Sequence, residues 1–551
     1  MDISKVPPQS PPAKVDDASS AGKSMALSSI VVTAILFLGK LAGFGKEMLM
    51  SRWMTKEATD AFKVVYNSIY FLIYTKIEKL LRPTFLPLFV RRRLSEGEEK
   101  AWKLPNVVCT VELLFLVVIG ILGFLFAGKI FAFGWSKAAE TEAVLEVAAR
   151  SLRILSGGLL FFCLSILAEL TLHSYKRFAL AALAEAVFRI AVVLSMLALL
   201  GTVWDKETHQ AAYGLVWGVA LGGALRLLVM LPGLKGHLKA FRFSFDLKLP
   251  DFVSMVKLMP PVVLGLVFSS LRTYADSWLG TSIGVGSYSY LDWARRLVDM
   301  PVQILPMALS FVVYPYLSEW ASRKDNAQLR DALVGTTRAM MFLFVPACVG
   351  LILLSFPVTW FIYGGGEFTL EDASQTARAL VIYSLGMPFF SMEGIINKWF
   401  FALSDTLTPN LVGAAMASLH VAIAFFGVRL AKRKAVQLCA VASALTLSKS
   451  LKVLLLYGFL RRKLDGIQGR ALAWFSVRLG VCLLVMTGAV MGTMGGLQSG
   501  LGLDLQEKMH CLLLLLAGGG VGGFAFMFVA FLLRIEELHL VLAEVRKRLP
   551  F

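Results

Sequence analysis

Several stretches of this chain place ionisable side chains among apolar residues. LGKLAGFGKEM carries Lys40, Lys46 and Glu47, with Gly43 between the two lysines. ATDAFK opens the next apolar stretch with Asp60 and Lys63, and Lys76, Glu78, Lys79 and Arg82 follow before Pro83. A later stretch holds Lys257, Arg272 and Asp276, and the one after it holds Asp292, Arg295, Arg296 and Asp299 before Pro301. An ionisable group at the centre of a membrane span costs about 2.5–3.5 kcal/mol on insertion scales, so those that persist tend to face a cavity or a partner. Taken singly, each is explained as well by snorkelling to the interface or by an interhelical ion pair. The set is not, because the charges gather in the first two spans of each half of the chain, while spans three to six and the last two are much poorer in them. A cationic, water-filled cavity between two lobes accounts for that distribution. Its natural ligand is an anion, and phosphate suits Lys and Arg best.

Other chemistries find little support. The six cysteines (Cys109, Cys163, Cys348, Cys439, Cys482, Cys511) form no CxxC pair and lie mostly in apolar runs, as small buried hydrophobes do. The six histidines form no HExxH and no His/Cys cluster. LAGFGKE lacks the first Gly and the Ser/Thr of a phosphate-binding loop, which points away from ATP hydrolysis and leaves an ion gradient or the membrane potential as the energy source. No cofactor is expected. A membrane-embedded glycosyltransferase or acyltransferase would need a loop-borne acid or His/Asp pair and a sizeable soluble loop, and neither is present. A drug/cation antiporter would want an acidic cavity, the opposite sign.

The elements that must carry these charges follow from composition. Of 551 residues 57% are hydrophobic and 17% charged, and the mean hydropathy is +0.70. Soluble domains are about 45–50% apolar and about 25% charged, so a soluble enzyme is ruled out. The 55 Lys+Arg against 37 Asp+Glu give a net charge of +18. These basic residues bracket apolar spans rather than pattern a soluble domain, so nucleic acid is not an expected partner.

An all-α polytopic membrane protein is predicted. About fourteen spans fall near 26–50, 58–90, 105–133, 145–173, 179–202, 210–233, 252–282, 286–318, 336–363, 373–402, 408–430, 435–460, 471–495 and 509–534. With a cytoplasmic N-terminus, alternate loops are basic, among them Arg91–Arg93, Lys235–Lys248 and Arg461–Arg470, and the opposite loops are short or acidic. The basic 429–434 loop and the nearly uncharged 403–407 loop disagree; the rest place both termini inside. Residues 1–25 read as a disordered tail. In 536–551, Leu538, Leu542, Val545 and Leu549 share one face, which predicts an amphipathic interfacial helix. A faint repeat relates 213–235 to 439–463, superposing Arg226 and Lys452 at an offset of roughly 226 residues, and the same offset carries span one onto span seven.

At these residues the chain resembles the MurJ/MviN lipid II flippase family of the multidrug/oligosaccharidyl-lipid/polysaccharide exporter superfamily. LAGFGKEMLMSR followed by ATDAF is similar to the family's LGFxRD…ATDAF start, and PTFLPLF to its AFVPxL. HSYKRFALAAL, WGVALGGALRLLVMLPGLK, GSYSYLDWARRLVDMPVQILPMALSFVVYPYLS, FIYGGGEFTLEDASQTARALVIYSLGMPF and FALSDTLTP follow in family order, from Leu38 to Pro409 overall.

The resemblance implies two pseudo-symmetric six-helix lobes, 26–235 and 250–463, with helices 13 and 14 (470–535) forming a groove for a lipid tail. It implies a flippase, not an enzyme, that moves undecaprenyl-diphosphate-linked peptidoglycan precursor (lipid II) across the bacterial inner membrane by alternating access. Sodium or a proton is the implied coupling ion. Membrane lipids and the peptidoglycan synthesis machinery are the further implied partners. Lys40 and Lys46 take the positions of two essential first-helix arginines, Arg296 is the ADRL arginine and Ser289 the serine of GSxS. With Arg272 and Arg295 they are the expected headgroup-binding set. Asp60 (of ATDAF), Glu78, Asp276 and Gly43 are the expected structural or coupling residues, and Asp276 fits a seventh-helix position implied to bind sodium in some members. The chain departs from the pattern in its first-helix lysines, in Arg295 where the family has aspartate, and in Ile73 and Tyr74 where the family has arginines, with Lys76 a substitute. These departures leave open lipid II itself or another lipid-linked oligosaccharide, such as an O-antigen or exopolysaccharide unit.

Overall fold

The computed structural model describes residues 35, 38–135, 142–199, 210–403, 405–464, 466 and 469–539. Among them every regular element is helical, and the one β feature is an isolated bridge between Gly365 and Phe368. A bilayer offers no water to free backbone N–H and C=O groups, so a spanning segment must satisfy its own.

Helix α1 covers 38–53. Helix α2 (Lys56–Val65) passes through a π-helical turn (Tyr66–Tyr70) into α3 (Phe71–Glu96). The Thr55 hydroxyl starts α2 by accepting from the Ala58 N–H, and Gly97, at φ +84°, ends α3. The single turn α4 (Glu98–Ala101) leads to α5 (Lys103–Trp135), α6 (Glu142–Ser174), α7 (Phe178–Leu199) and α8 (Gln210–Met230). The second half contains α9 (Pro250–Ile283), α10 (Ser287–Ser322), α11 (Asn326–Leu353), α12 (Ser355–Tyr363), α13 (Leu370–Ala402), α14 (Leu407–Leu430) and α15 (Lys434–Lys463). Two more helices follow, α16 (Gly469–Leu501) and α17 (Lys508–Leu532).

Among the described residues, ten helices are long and apolar enough to cross a membrane, or eleven if the two parts of α9 form one span. The count of fourteen also needs α1, of which 38–53 are described, and the α2–α3 and α10 segments, which carry ionisable residues along their length. Most of the expected 536–551 helix and all of the 1–25 tail lie outside the described residues; 536–539 are helical, and Glu537 pairs with Arg338 of α11 at 2.6 Å.

Two large apolar cores organise the chain. One gathers Phe62, Phe85, Leu155, Phe162 and Leu215 from the first eight helices; the other gathers Leu291, Leu380, Trp399, Leu445 and Leu456 from the next seven. A third packs Phe475, Cys482 and Val490 of α16 and Phe526 of α17 against Phe342 of α11. Helix α9 belongs to both large cores, with Met255 in the first and Leu279 and Ile283 in the second. It bends by 53° between Pro250–Pro260 and Gly265–Ile283, where Pro260 interrupts the backbone bonding. Its start is tied to α3 by an ion pair between Asp251 and Arg92.

Close helix approach within the first core depends on Gly158. A Cβ there would lie 2.7 Å from Cα of Ala220, so α6 and α8 touch through backbone. Gly158→Val is expected to destabilise the protein by about 1–3 kcal/mol. Gly480→Val, which meets nothing within 4 Å, is expected to stay within about 0.5 kcal/mol. Thermal unfolding in detergent checks both, and equal melting points for the two variants would refute the packing argument.

Candidate substrate-binding cavity

Between the two cores lies a cavity of about 480 Å³. Its wall is formed by α1, the π turn, α3, α7 and α8 on one side and by α9 and α10 on the other. Eight cations line it (Lys40, Lys46, Lys76, Lys79, Arg189, Arg272, Arg295 and Arg296) against four carboxylates, Glu47, Glu185, Asp292 and Asp299. The excess is positive, as the intramembrane charges had suggested.

Four of these wall charges interlock with the buried Lys63 behind them. The buried Lys63 ammonium lies 3.0 Å from Asp292 and 3.6 Å from Glu47, sits 3.9 Å over the Trp293 ring and donates to the Ser289 carbonyl. Arg296 reaches Asp292 at 2.8 Å and Glu47 at 3.3 Å, and Lys46 reaches Glu47 at 2.8 Å. Helices α1, α2 and α10 are thereby joined by charges that only one another make tolerable away from water.

Helix α10 starts at Gly286, φ +84°, with no side-chain cap of its own. Asp60 of α2 supplies one. Its carboxylate accepts from the backbone N–H of Gly286 at 2.6 Å and of Ser289 at 3.0 Å, at the positive end of the helix dipole. The Ser289 hydroxyl donates to the same carboxylate. Ser289, expected to hold the headgroup, is therefore buried and absent from the cavity wall. Asp60 and Gly286 are 226 residues apart, as are Lys63 and Ser289. That is the offset of the sequence repeat, so at this contact α2 meets the stretch of α10 that the repeat pairs with it.

The other expected residues divide. Lys40, Gly43, Lys46, Arg272, Arg295 and Arg296 line the cavity. Glu78 does not; it pairs with Arg82, which also reaches Glu169 at 2.9 Å. Asp276 meets Nε2 of the buried His420 at 2.5 Å, with Arg295 at 3.9 Å and the Ser448 hydroxyl 3.5 Å from the other ring nitrogen. Among the described residues no three His, Cys, Asp or Glu side chains gather as a metal site. A carboxylate faced by an imidazole and a guanidinium is a poor fit to a sodium ion, which needs a shell of oxygens.

Spans four to six are less passive than expected. Arg189 and Glu185 of α7 line the cavity and pair at 2.8 Å. The buried Arg226 of α8 bonds Glu169 at 2.7 Å and Glu185 at 3.4 Å, and stacks on Tyr74 and Phe162. Its repeat counterpart Lys452 bonds Glu393 at 2.7 Å. The signal was present in AEAVFRI, an i,i+4 ion pair inside an apolar run.

The family described as Lipid II flippase MurJ matches residues 54–503. This chain belongs to the MurJ lipid II flippase family. It is 25% identical over 530 residues to a probable lipid II flippase MurJ of Vibrio cholerae serotype O1, covering 94% of this chain and 98% of that one. Over 448 residues it is 23% identical to a probable lipid II flippase MurJ of Bdellovibrio bacteriovorus, covering 81% and 84%. A solved structure, "Lipid II flippase MurJ, inward closed conformation", superposes with a TM-score of 0.72 at 21% identity over 92% of this chain and 99% of that chain. An inward-facing multidrug resistance MATE family transporter follows at 0.66 and 14% identity, covering 79% and 98%. The fold is thus the MurJ fold, shared more loosely by the MATE structure, and the family is one of transporters, not enzymes. The apolar helices and the membership together make this a multi-pass protein of the inner membrane.

Removing Lys63 leaves Glu47 and Asp292 with less compensation in a buried site. Lys63→Met is expected to cost about 3–5 kcal/mol. A melting temperature in detergent equal to that of the parent would show that the network is not structural.

Proposed function

We propose that this protein carries lipid II, a polyprenyl-diphosphate-linked peptidoglycan precursor, from the inner to the outer leaflet by alternating access. The observation that carries the reading is the cationic cavity closed at one end between two pseudo-symmetric lobes. At that end the α1–α2 turn meets the α12–α13 turn. The Ser51 hydroxyl donates to the Tyr363 carbonyl at 3.0 Å, Arg52 donates to the Ile362 carbonyl at 3.2 Å, and the Glu367 N–H donates to the Arg52 carbonyl at 3.0 Å. Lys56 pairs with Asp372 at 2.8 Å, close to the Asp60 cap of α10. With both termini cytoplasmic, as the basic loops indicate, this closed end faces outward and the cavity loads from inside.

An inside-negative potential suits the cycle. Each elementary charge crossing the membrane is worth about 2.3 kcal/mol per 100 mV. The field draws an empty cationic cavity towards the cytoplasm and drives an anionic headgroup outward once it is bound. The tail of the lipid stays in the hydrocarbon and runs along α16 and α17, which pack outside the second core against α11.

Complementation of a strain depleted of its lipid II flippase tests the reading. The parent chain is expected to restore growth; Lys40→Ala and Arg296→Ala are expected to insert normally and fail, and Lys40→Arg to succeed. Full growth with both alanine variants would show that neither of these two cavity cations is needed for transport. Failure of the well-expressed parent chain would direct the assignment to a different lipid-linked glycan.

A further inference from the structure

We propose that the anionic headgroup is gripped by Lys76 and Lys79 of α3 together with Arg272 of α9, and that Arg295 and Arg296 hold the structure of α10 instead. This deepens the reading given under Proposed function and rests on it. The argument comes from how the cavity cations are paired. Arg296 is matched by Asp292 and Glu47, Arg295 by Asp299 at 3.5 Å and Asp276 at 3.9 Å, Lys46 by Glu47 and Arg189 by Glu185. Lys76, Lys79, Arg272 and Lys40 also line the cavity, and among the described residues none has a carboxylate oxygen within 4.0 Å.

An arriving anion must displace a carboxylate to bind a paired guanidinium, at the cost of leaving that carboxylate uncompensated. It displaces nothing at an unpaired one. Two of the other unpaired cations, Lys79 and Arg272, lie on either side of Lys76. The Lys76 ammonium donates to the Ser269 hydroxyl at 2.6 Å, so α3 and α9 touch across the cavity at this point. Lys79 follows Lys76, and Arg272 follows Ser269, by three residues, which places each pair on one face of its helix. Lys79 and Arg272 are near enough to repel Lys76, and the Arg272 Nε is buried without a partner. A group of like charges with a free donor and no carboxylate in ion-pair contact is relieved by an anion with several oxygens, as a diphosphate has. Lys40 lies apart, beside Arg189 on the α1–α7 side. Because α3 belongs to the first core and this part of α9 approaches the second, the bound headgroup bridges the lobes.

Binding of undecaprenyl diphosphate to the purified full chain in detergent, measured by native mass spectrometry, tests this. Lys76→Gln/Lys79→Gln is expected to weaken binding about tenfold or more. Lys76→Arg/Lys79→Arg is expected to recover it to within about threefold. Arg296→Gln, or Arg296→Lys where the first does not fold, is expected to bind within about threefold of the parent while failing complementation. The proposal is overturned if the double glutamine variant binds like the parent, or if the Arg296 variant loses binding to the same extent as that double variant. A parent chain that binds undecaprenyl diphosphate no better than uncharged undecaprenol overturns the underlying reading and this inference with it.

Discussion

A charge held within a bilayer has to be paired or hydrated, and this condition shapes the whole molecule. Lys63 has almost no exposure, yet it stands between Glu47 and Asp292 with an aromatic face beneath it. Arg226 is equally enclosed and is met by two glutamates and two rings. Glu393 is enclosed between Lys449 and Lys452. Each of these groups ties together helices that are distant in the chain or packed side by side. Lipid supplies little hydrophobic drive for helix association, so such ties and close approaches like that at Gly158 specify which helices are neighbours.

The repeat makes the same device serve twice. Arg226 to Glu169 joins α8 to α6, and Lys452 to Glu393 joins α15 to α13, in corresponding places of the two lobes. At the contact between α2 and the start of α10, Asp60 and Lys63 face their repeat counterparts, where identical side chains of one sign would repel. The two halves have diverged there: Asp60 meets a glycine N–H and Lys63 a backbone carbonyl. Backbone groups of a helix start carry partial charge without a full desolvation cost.

The helices were readable because a span needs only length and apolarity, and the cationic cavity because intramembrane charge is conspicuous. What the sequence could not show was who pairs with whom. Ser289 looks like a ligand group beside charged neighbours, but the carboxylate that takes its hydroxyl is 229 residues away. Asp276 looks like a free acid, but its imidazole partner is 144 residues away. Glu78 looks like a cavity acid until Arg82, one turn on, is seen bonded to both it and Glu169. The bend of α9 and the π turn before α3 also rotate side chains in ways that no period of 3.6 anticipates. Arg189 was a different case, overlooked because its span is otherwise strongly apolar.

Pairing also changes what the departures from the family pattern mean. Arg295 stands where an aspartate is usual, which on its own would reverse a charge in the cavity. In the fold it is answered by Asp299 and Asp276. The cavity-lining charges of α10 (Asp292, Asp299, Arg295, Arg296) therefore balance within the helix. The positive excess arises elsewhere, on α1, α3 and α9, and there it is carried mostly by lysine. An arginine fork favours one orientation of its anion, whereas an ammonium is a point charge that tolerates many. An anion facing lysines is therefore less constrained in orientation than one facing arginine forks.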